Sequence, residues 1–254
     1  MPPIDDRLAV TAAAYDAVSA RYADLARDEL DGLPLDRAVL AAFAEHVRAG
    51  GSGLVADLGC GEGRIGAHLA GLGLDVTGID LSPALIEIAR ARHPGLRFST
   101  GSMHALPFGD GSLAGIVSWY SVIHAAPRDV PAYLAEFGRA LRPGGYLLAA
   151  FFEAVNEPVT GFDHKVTPAY RWPVDELAAL AAAAGFTEAG RMSREPRDGE
   201  RFRRGHLLLR RRLSCPARAL YESAGFTVTR TLAGAVTEAG GSPSDLIVMT
   251  HQPR

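Results

Sequence analysis

Lysine is almost missing from this chain: of its 26 basic residues, Lys165 alone is not arginine. With the heavy use of alanine, that skew reads as a GC-rich coding bias rather than a functional signal. Cysteine is scarce too. Cys60 and Cys215 are too few for the disulfide framework of a secreted domain, and Cys60 sits inside a glycine loop, so a reducing, cytoplasmic setting is expected. No apolar run approaches the ~20 residues that span a bilayer. The first residues, Met1-Pro2-Pro3-Ile4-Asp5-Asp6-Arg7, hold no apolar leader core, so no membrane role is expected. A net charge of −3 leaves no general nucleic-acid footprint. No histidine pair has ligand spacing such as H-E-x-x-H, so no metal is expected. What remains is an ordinary globular composition, 48% hydrophobic and 22% charged over 254 residues, enough for one large α/β domain or a domain with an appendage.

The stretch that organises the rest is Leu54-Val55-Ala56-Asp57-Leu58-Gly59-Cys60-Gly61-Glu62-Gly63-Arg64-Ile65-Gly66. An apolar run ended by glycines reads as a buried strand. The pattern over residues 63–70 reads as a helix whose free N–H groups face whatever lies over the loop. Asp57, late in the strand, is placed to accept hydrogen bonds from a ligand's amine or hydroxyl. Gly61-Glu62-Gly63-Arg64-Ile65-Gly66 also matches G-x-G-x-x-G, the dinucleotide fingerprint, which is weak alone.

A second strand over 74–80 ends in Asp80, where an acid can take both hydroxyls of a bound ribose. Ser82 and Pro83 suit the cap and first turn of the next helix, with Leu85, Ile86, Ile88 and Ala89 on its buried face. Further strands are expected at 96–99, within 112–121, and at 146–152, 186–193 and 206–212. A helix over 130–141 carries Tyr133, Leu134, Phe137 and Leu141 on one face and stops at Arg142-Pro143-Gly144-Gly145. Residues 153–172 read as a loop-rich insertion, and 173–184 as a helix. The alternation of strand and helix predicts an α/β, doubly wound, mainly parallel sheet. Three parts follow: an N-terminal helical cap over 1–53, a central domain over 54–212 and a C-terminal appendage over 213–254. The tail echoes what precedes it. Ala184-Gly185-Phe186-Thr187 recurs as Ala224-Gly225-Phe226-Thr227, each after an alanine-rich helical pattern and before an apolar strand.

Asp57-Leu58-Gly59-Cys60-Gly61-Glu62-Gly63, Ala105-Leu106-Pro107-Phe108 and Leu141-Arg142-Pro143-Gly144-Gly145 before an apolar strand together resemble the class I S-adenosylmethionine (SAM) methyltransferases, over residues 54–212. The resemblance implies a Rossmann-like, seven-stranded sheet closed by an antiparallel last strand, with SAM as cofactor. It implies cofactor contacts at Asp57, Gly59, Cys60, Gly61, Gly63, Asp80, Leu81, Ser102, Met103, His104, Ser118 and Tyr22. Ser102 stands where the family commonly has an Asp for the adenine amino group, and Leu113-Ala114 where it usually has Phe-Asp. Relatives often cap the pocket with N-terminal helices bearing a Tyr-Asp and a later Tyr. Tyr15-Asp16 and Tyr22 fit that pattern, or a helix packed on the sheet edge.

Methyl transfer from a sulfonium depends on holding the acceptor in line more than on a covalent nucleophile. An acceptor that must lose a proton makes His124, His164 and Tyr120 the candidate catalytic residues, with His104 beside them, and His124 and His164 read also as local packing. Trp119, Tyr120, Phe152, Phe162, Tyr170 and Trp172 fall in the expected acceptor region, which favours an apolar or aromatic small molecule. The expected function is methyl transfer from SAM to such a small-molecule acceptor. The alternatives are an NAD(P)-dependent oxidoreductase using Gly61, Gly63 and Gly66, and a SAM-binding protein without turnover. Neither nucleic acid nor membrane is expected as a partner, and a homodimer is one way to cover the apolar tail strand. Nine arginines and three acids between Arg191 and Arg212 read as a solvated face.

Overall fold

Two helices, α1 (Ile4–Ala26) and α2 (Pro34–Ala49), precede the first strand. Strand and helix then alternate: β1 (Leu54–Leu58), α3 (Arg64–Gly71), β2 (Asp75–Asp80), α4 (Pro83–Arg92), β3 (Arg97–Thr100) and β4 (Leu113–Trp119). There follow α5 (Val130–Ala140), β5 (Leu141–Glu153), β6 (Thr160–Phe162), β7 (Ala169–Trp172), α6 (Val174–Ala183), β8 (Phe186–Arg194) and β9 (Arg204–Arg211). The last two strands are β10 (Phe226–Thr237) and β11 (Pro243–His251). The computed structural model describes residues 4–26, 29–213, 226–237 and 243–251. The chain divides into two units, Met1–Arg212 and Leu213–Arg254. Among the described residues no helix is long and apolar enough to cross a membrane.

In the first unit β3-β2-β1-β4-β5 lie side by side, parallel, and β9 runs antiparallel along β5, with β8 antiparallel along β9. Chain order reverses between β1 and β4. Open α/β sheets bind ligands at such a switch point, outside the carboxyl ends of the strands. Successive residues of a strand face opposite sides. Leu207 and Leu209 therefore join the core containing Phe137 of α5 and Leu177 of α6, whereas Leu208 joins the core containing Phe43 of α2 and Leu69 of α3. Both faces of the sheet are thereby covered.

Three expectations need correction. The seven expected strands are present, and two more extend the sheet to nine. The two extra ones, β6 and β7, lie in the stretch expected to be loop. They pair with each other, and β7 continues alongside the end of β5 through Phe152↔Arg171 and Glu153↔Trp172. The Arg142-Pro143-Gly144-Gly145 segment is not a turn ahead of β5 but a bulge within it. The β4–β5 register jumps from Leu113↔Leu141 to Gly115↔Tyr146. Proline has no N–H to give to a ladder, so a bulge suits it. Arg142 there donates to the carbonyls of Gly50 and Ser52, each at 2.8 Å, closing the end of α2. Finally, the arginine run is not uniformly solvated: Arg194 is 8% exposed and donates to the still more buried Asp36 of α2 at 2.9 Å.

In the second unit β10 and β11 form an antiparallel pair, with register shifts after Val228 and Leu232. Phe186 and Phe226 each open the first strand of an antiparallel pair, as the repeated Ala-Gly-Phe-Thr suggests. The alanine-rich helical pattern expected before Phe226 lies outside the described residues.

Candidate cofactor and acceptor site

A cavity of about 860 Å³ lies at the carboxyl ends of β1, β2 and β4, lined by the glycine loop, the β2–α4 turn, the segment after β4 and one face of α1. Asp80 holds the loop in shape. Its Oδ2 accepts from the Gly61 N–H and its Oδ1 from the Ser82 N–H, both at 2.8 Å. Each carboxylate oxygen has a second acceptor site left, and Asp80 lines the cavity. Burial pushes its carboxyl above the usual range, against those two N–H groups.

The loop glycines serve different ends. Gly61 has φ +55°, and a Cβ there would meet nothing nearer than Tyr22 Cε1 at 3.7 Å, so this part of the cavity wall is bare backbone. Gly59 has φ +70°, and a Cβ would come within 2.3 Å of Ser121 Cβ, so its reason is packing against the segment after β4. A Cβ on Gly63 would meet the Phe98 and His93 rings.

Of the residues expected to hold a cofactor, Tyr22, Gly59, Gly61, Asp80, Leu81 and Met103 line this cavity, as do Tyr120 and His124. The others do not. Asp57 is fully buried beneath α3, where its Oδ2 accepts from the Gly66 N–H at 2.9 Å and its Oδ1 has no partner among the described residues. Burial raises its carboxyl to about 7. Cys60 turns into a small core with Ile86, Ala89 and Phe98, where burial raises its thiol. Ser102 Oγ accepts from the His104 N–H at 3.2 Å, within its own loop, and the His104 ring stands 6.1 Å from that of Tyr133. Ser118 is buried. Its hydroxyl donates to Ser121 Oγ at 2.8 Å, which donates to the Leu58 carbonyl at 2.6 Å and ties β4 to β1.

Helix α1 closes the cavity. Asp16 Oδ1 accepts from the Ser82 hydroxyl and from the Ala84 N–H at 3.1 Å, and Arg7 pairs with Asp129. Tyr15 and Tyr22, two helical turns apart, project from one face with their rings 5.4 Å apart, edge to face. That spacing is the signal that Tyr15 belongs with Tyr22 at the site. Tyr15 Oη lies 2.9 Å from His124 Nε2, and His124 Nδ1 lies 3.1 Å from the Pro168 carbonyl. A carbonyl only accepts, so Nδ1 carries the proton, Nε2 accepts, and Tyr15 donates. Burial pushes His124 down to about 4, with His164 lowering it further and Pro168 opposing.

His164 stands 5.1 Å from His124, ring to ring, but on a second cavity of about 840 Å³. The two cavities share Tyr15, Tyr22, Trp119 and Tyr120. Tyr120 has φ +54°, in the left-handed region that a bulky residue seldom adopts. Arg64, Arg194 and Arg204 also line this second space, and sequence reasoning singled out none of them. Among the described residues no group of three His, Cys, Asp or Glu side chains could hold a metal ion.

Residues 55–145 match the family model for the methyltransferase domain. The chain is 36% identical over 138 residues to the demethylmenaquinone methyltransferase of Beutenbergia cavernae, covering 54% of this chain and 56% of that one. It is 36% identical over 144 residues to the O-methyltransferase cnsE of Penicillium expansum, covering 52% and 51%. The chain thus spans about half the length of the curated relatives it matches. In fold it is similar to the Burkholderia thailandensis 1,6-didemethyltoxoflavin-N1-methyltransferase with bound 1,6-didemethyltoxoflavin and S-adenosylhomocysteine. That likeness has a TM-score of 0.68 at 24% identity, over 84% of this chain and 92% of that one. Motif and match thus agree on a likeness to the methyltransferase domain over residues 55–145, and the fold is the one that structure has.

Proposed function

We propose that the protein transfers a methyl group from SAM to a small apolar or aromatic acceptor. The observation that carries this reading is the pair of adjoining cavities. One is framed by bare loop backbone and the Asp80 carboxylate, the other by aromatic side chains, and they meet at Tyr15, Tyr22, Trp119 and Tyr120. The residues present suit SAM. Asp80 has acceptor sites for ribose hydroxyls, Leu81 and Met103 offer apolar contact, and Gly61 leaves room beside the backbone. When bound, SAM supplies an electrophilic methyl on a sulfonium whose leaving group is a neutral thioether. The chain's part is to hold and to exclude water. Positioning of this kind is worth on the order of 7–11 kcal/mol in well-oriented reactions. His124, held near 4, is neutral at pH 7 and a weak base, so we assign it a positioning role rather than the base expected from sequence. It takes the Tyr15 proton as a hydrogen bond, which leaves the Tyr15 oxygen free to accept from an acceptor hydroxyl.

The names of the relatives support a small-molecule acceptor: a demethylmenaquinone for one and 1,6-didemethyltoxoflavin for another. Neither the site nor the relatives favour the nicotinamide alternative. A reducing compartment such as the cytoplasm suits the free, buried Cys60. The test is calorimetry with SAM, S-adenosylhomocysteine and NAD, followed by turnover with radiolabelled SAM across planar acceptors. Binding of both sulfur nucleosides but not NAD, with label transferred, is expected. NAD binding in their place would overturn the reading.

A further inference from the structure

The residues lining the second cavity include several with unpaired polar atoms. Tyr120 Oη, His164 Nδ1, Arg64 Nε and Arg204 Nε are buried with no hydrogen-bond partner among the described residues, and all four side chains belong to its lining. Buried polar groups are nearly always paired, so four such atoms around one space call for a ligand. Guanidinium nitrogens only donate, and a phenol donates readily, so the missing partner is an acceptor.

Arg204 is the least neutralised of the cations. Asp36 is held by Arg194 at 2.9 Å with His206 beside it at 3.6 Å. Glu29 and Glu62 are taken by Arg64. Glu200 binds Arg194 at 2.7 and 3.1 Å and accepts from the Arg197 N–H at 2.9 Å, but reaches Arg204 only at 3.5 Å. The Arg204 guanidinium instead lies over two rings, 4.3 Å from the Phe152 centroid and 5.1 Å from that of Tyr120. A cation over aromatic faces presents both a flat apolar surface and a charge. Tyr120 sits at that place in a strained backbone conformation, a kind of strain that clusters at functional sites.

We propose that this cavity is the acceptor chamber, and that it takes a planar acceptor bearing an anionic oxygen, bound by Arg204 and Tyr120. The proposal rests on the methyl-transfer reading and names the substrate class of that site. An acceptor that arrives ionised has no proton left to lose, so the weakness of His124 as a base is no obstacle.

The test uses the full chain and two isosteric probes, 2-naphthoate and 2-naphthamide, titrated by calorimetry with and without S-adenosylhomocysteine. Naphthoate is expected to bind about tenfold or more tighter than naphthamide, the effect of one charge-assisted hydrogen bond. Arg204→Gln should erase that preference while S-adenosylhomocysteine affinity stays as in the parent protein. If Arg204→Gln does not fold, Tyr120→Phe, which keeps the ring, should weaken naphthoate and spare naphthamide. Equal affinity for the two probes, binding of neither, or a preference that survives either folded variant would overturn the chamber assignment. Absence of S-adenosylhomocysteine binding would instead overturn the methyl-transfer reading, so the two failures are told apart.

Discussion

Two aspartates near the ends of neighbouring strands do different work, and their surroundings set the difference. Asp80 lines the cavity and fastens the glycine loop through two backbone N–H groups. Asp80→Ala should therefore weaken S-adenosylhomocysteine binding by at least about tenfold, since charge-assisted hydrogen bonds are worth roughly 1.5–3 kcal/mol each. Unchanged calorimetric affinity in a folded variant would contradict the assignment. Asp57 lies under α3 with its carboxyl raised to about 7, chiefly by burial. An unfolded aspartate titrates near 4, so between about pH 4 and 7 the unfolded chain gives up its proton while the folded chain keeps it. Stability from this group is present below pH 4 and falls as pH rises to about 7. Asp57→Asn cannot titrate, and asparagine can still accept from Gly66. The stability of Asp57→Asn relative to wild type should thus rise with pH across that window, by up to about 4 kcal/mol. Denaturant titrations at pH 5 and pH 8 measure it; a difference independent of pH would show that Asp57 is ionised in the fold.

At the scale of elements, the site depends on how α1 and α2 are held. The polar ties of α1 include Asp16 to the start of α4, Tyr15 to His124, Arg7 to Asp129, and Arg92 to the Ala23 carbonyl and Asp24. Helix α2 is pinned through Asp36, which Arg194 and His206 meet inside the protein. Breaking a buried pair from one side leaves a charge without its partner, at a cost of about 3–5 kcal/mol. Arg194→Met should lower stability by about that much in denaturant titrations. The Asp36→Leu/Arg194→Met double variant should recover part of the loss, because the buried Asp36 charge is then removed with its partner while Glu200 keeps Arg204 and the Arg197 N–H. Loss that simply adds would argue against coupling. The glycine loop makes a second contrast. Gly59→Ala puts a Cβ against Ser121 and should destabilise the fold, seen as a lower melting temperature. Gly61→Val fills cavity space and should abolish S-adenosylhomocysteine binding. Both variants melting and binding alike would mean the loop is no more than a turn.

At the scale of the whole molecule, the sheet of the first unit is complete with β9 at Arg211, and among the described residues those lining the two cavities all precede Arg212. Truncation after Arg212 is therefore expected to keep S-adenosylhomocysteine affinity. The tail's Leu246-Ile247-Val248-Met249 lies in β11, and an exposed strand edge invites pairing with another chain. Truncation should accordingly change solubility or oligomeric state, read by light scattering beside the calorimetry. A folded, monodisperse truncation that no longer binds would make the tail part of the site.

The order of elements other than β6 and β7, the place of Asp80 at a strand end, of Ser82 at a helix start and of Gly61 in the loop were legible in the sequence because each depends on local chemistry. Apolar runs end in glycine, a serine precedes a helix-starting proline, and an acid follows a strand. What needed the fold was everything set by contacts distant along the chain. Asp57 and Asp80 look alike in sequence, and only α3 packed over the first separates them. Gly59 and Gly61 look alike, and only Ser121, some sixty residues on, gives the first its reason. Arg204 sits in a charge run that composition reads as solvated, and only its place on β9 beside β5 brings it over Phe152 and Tyr120. Hydrophobic period and turn chemistry act over a few residues, so sequence determined the elements and the cofactor-side motif. Burial and charge pairing act across the sheet, so tertiary structure alone decided which of the candidate side chains face a ligand.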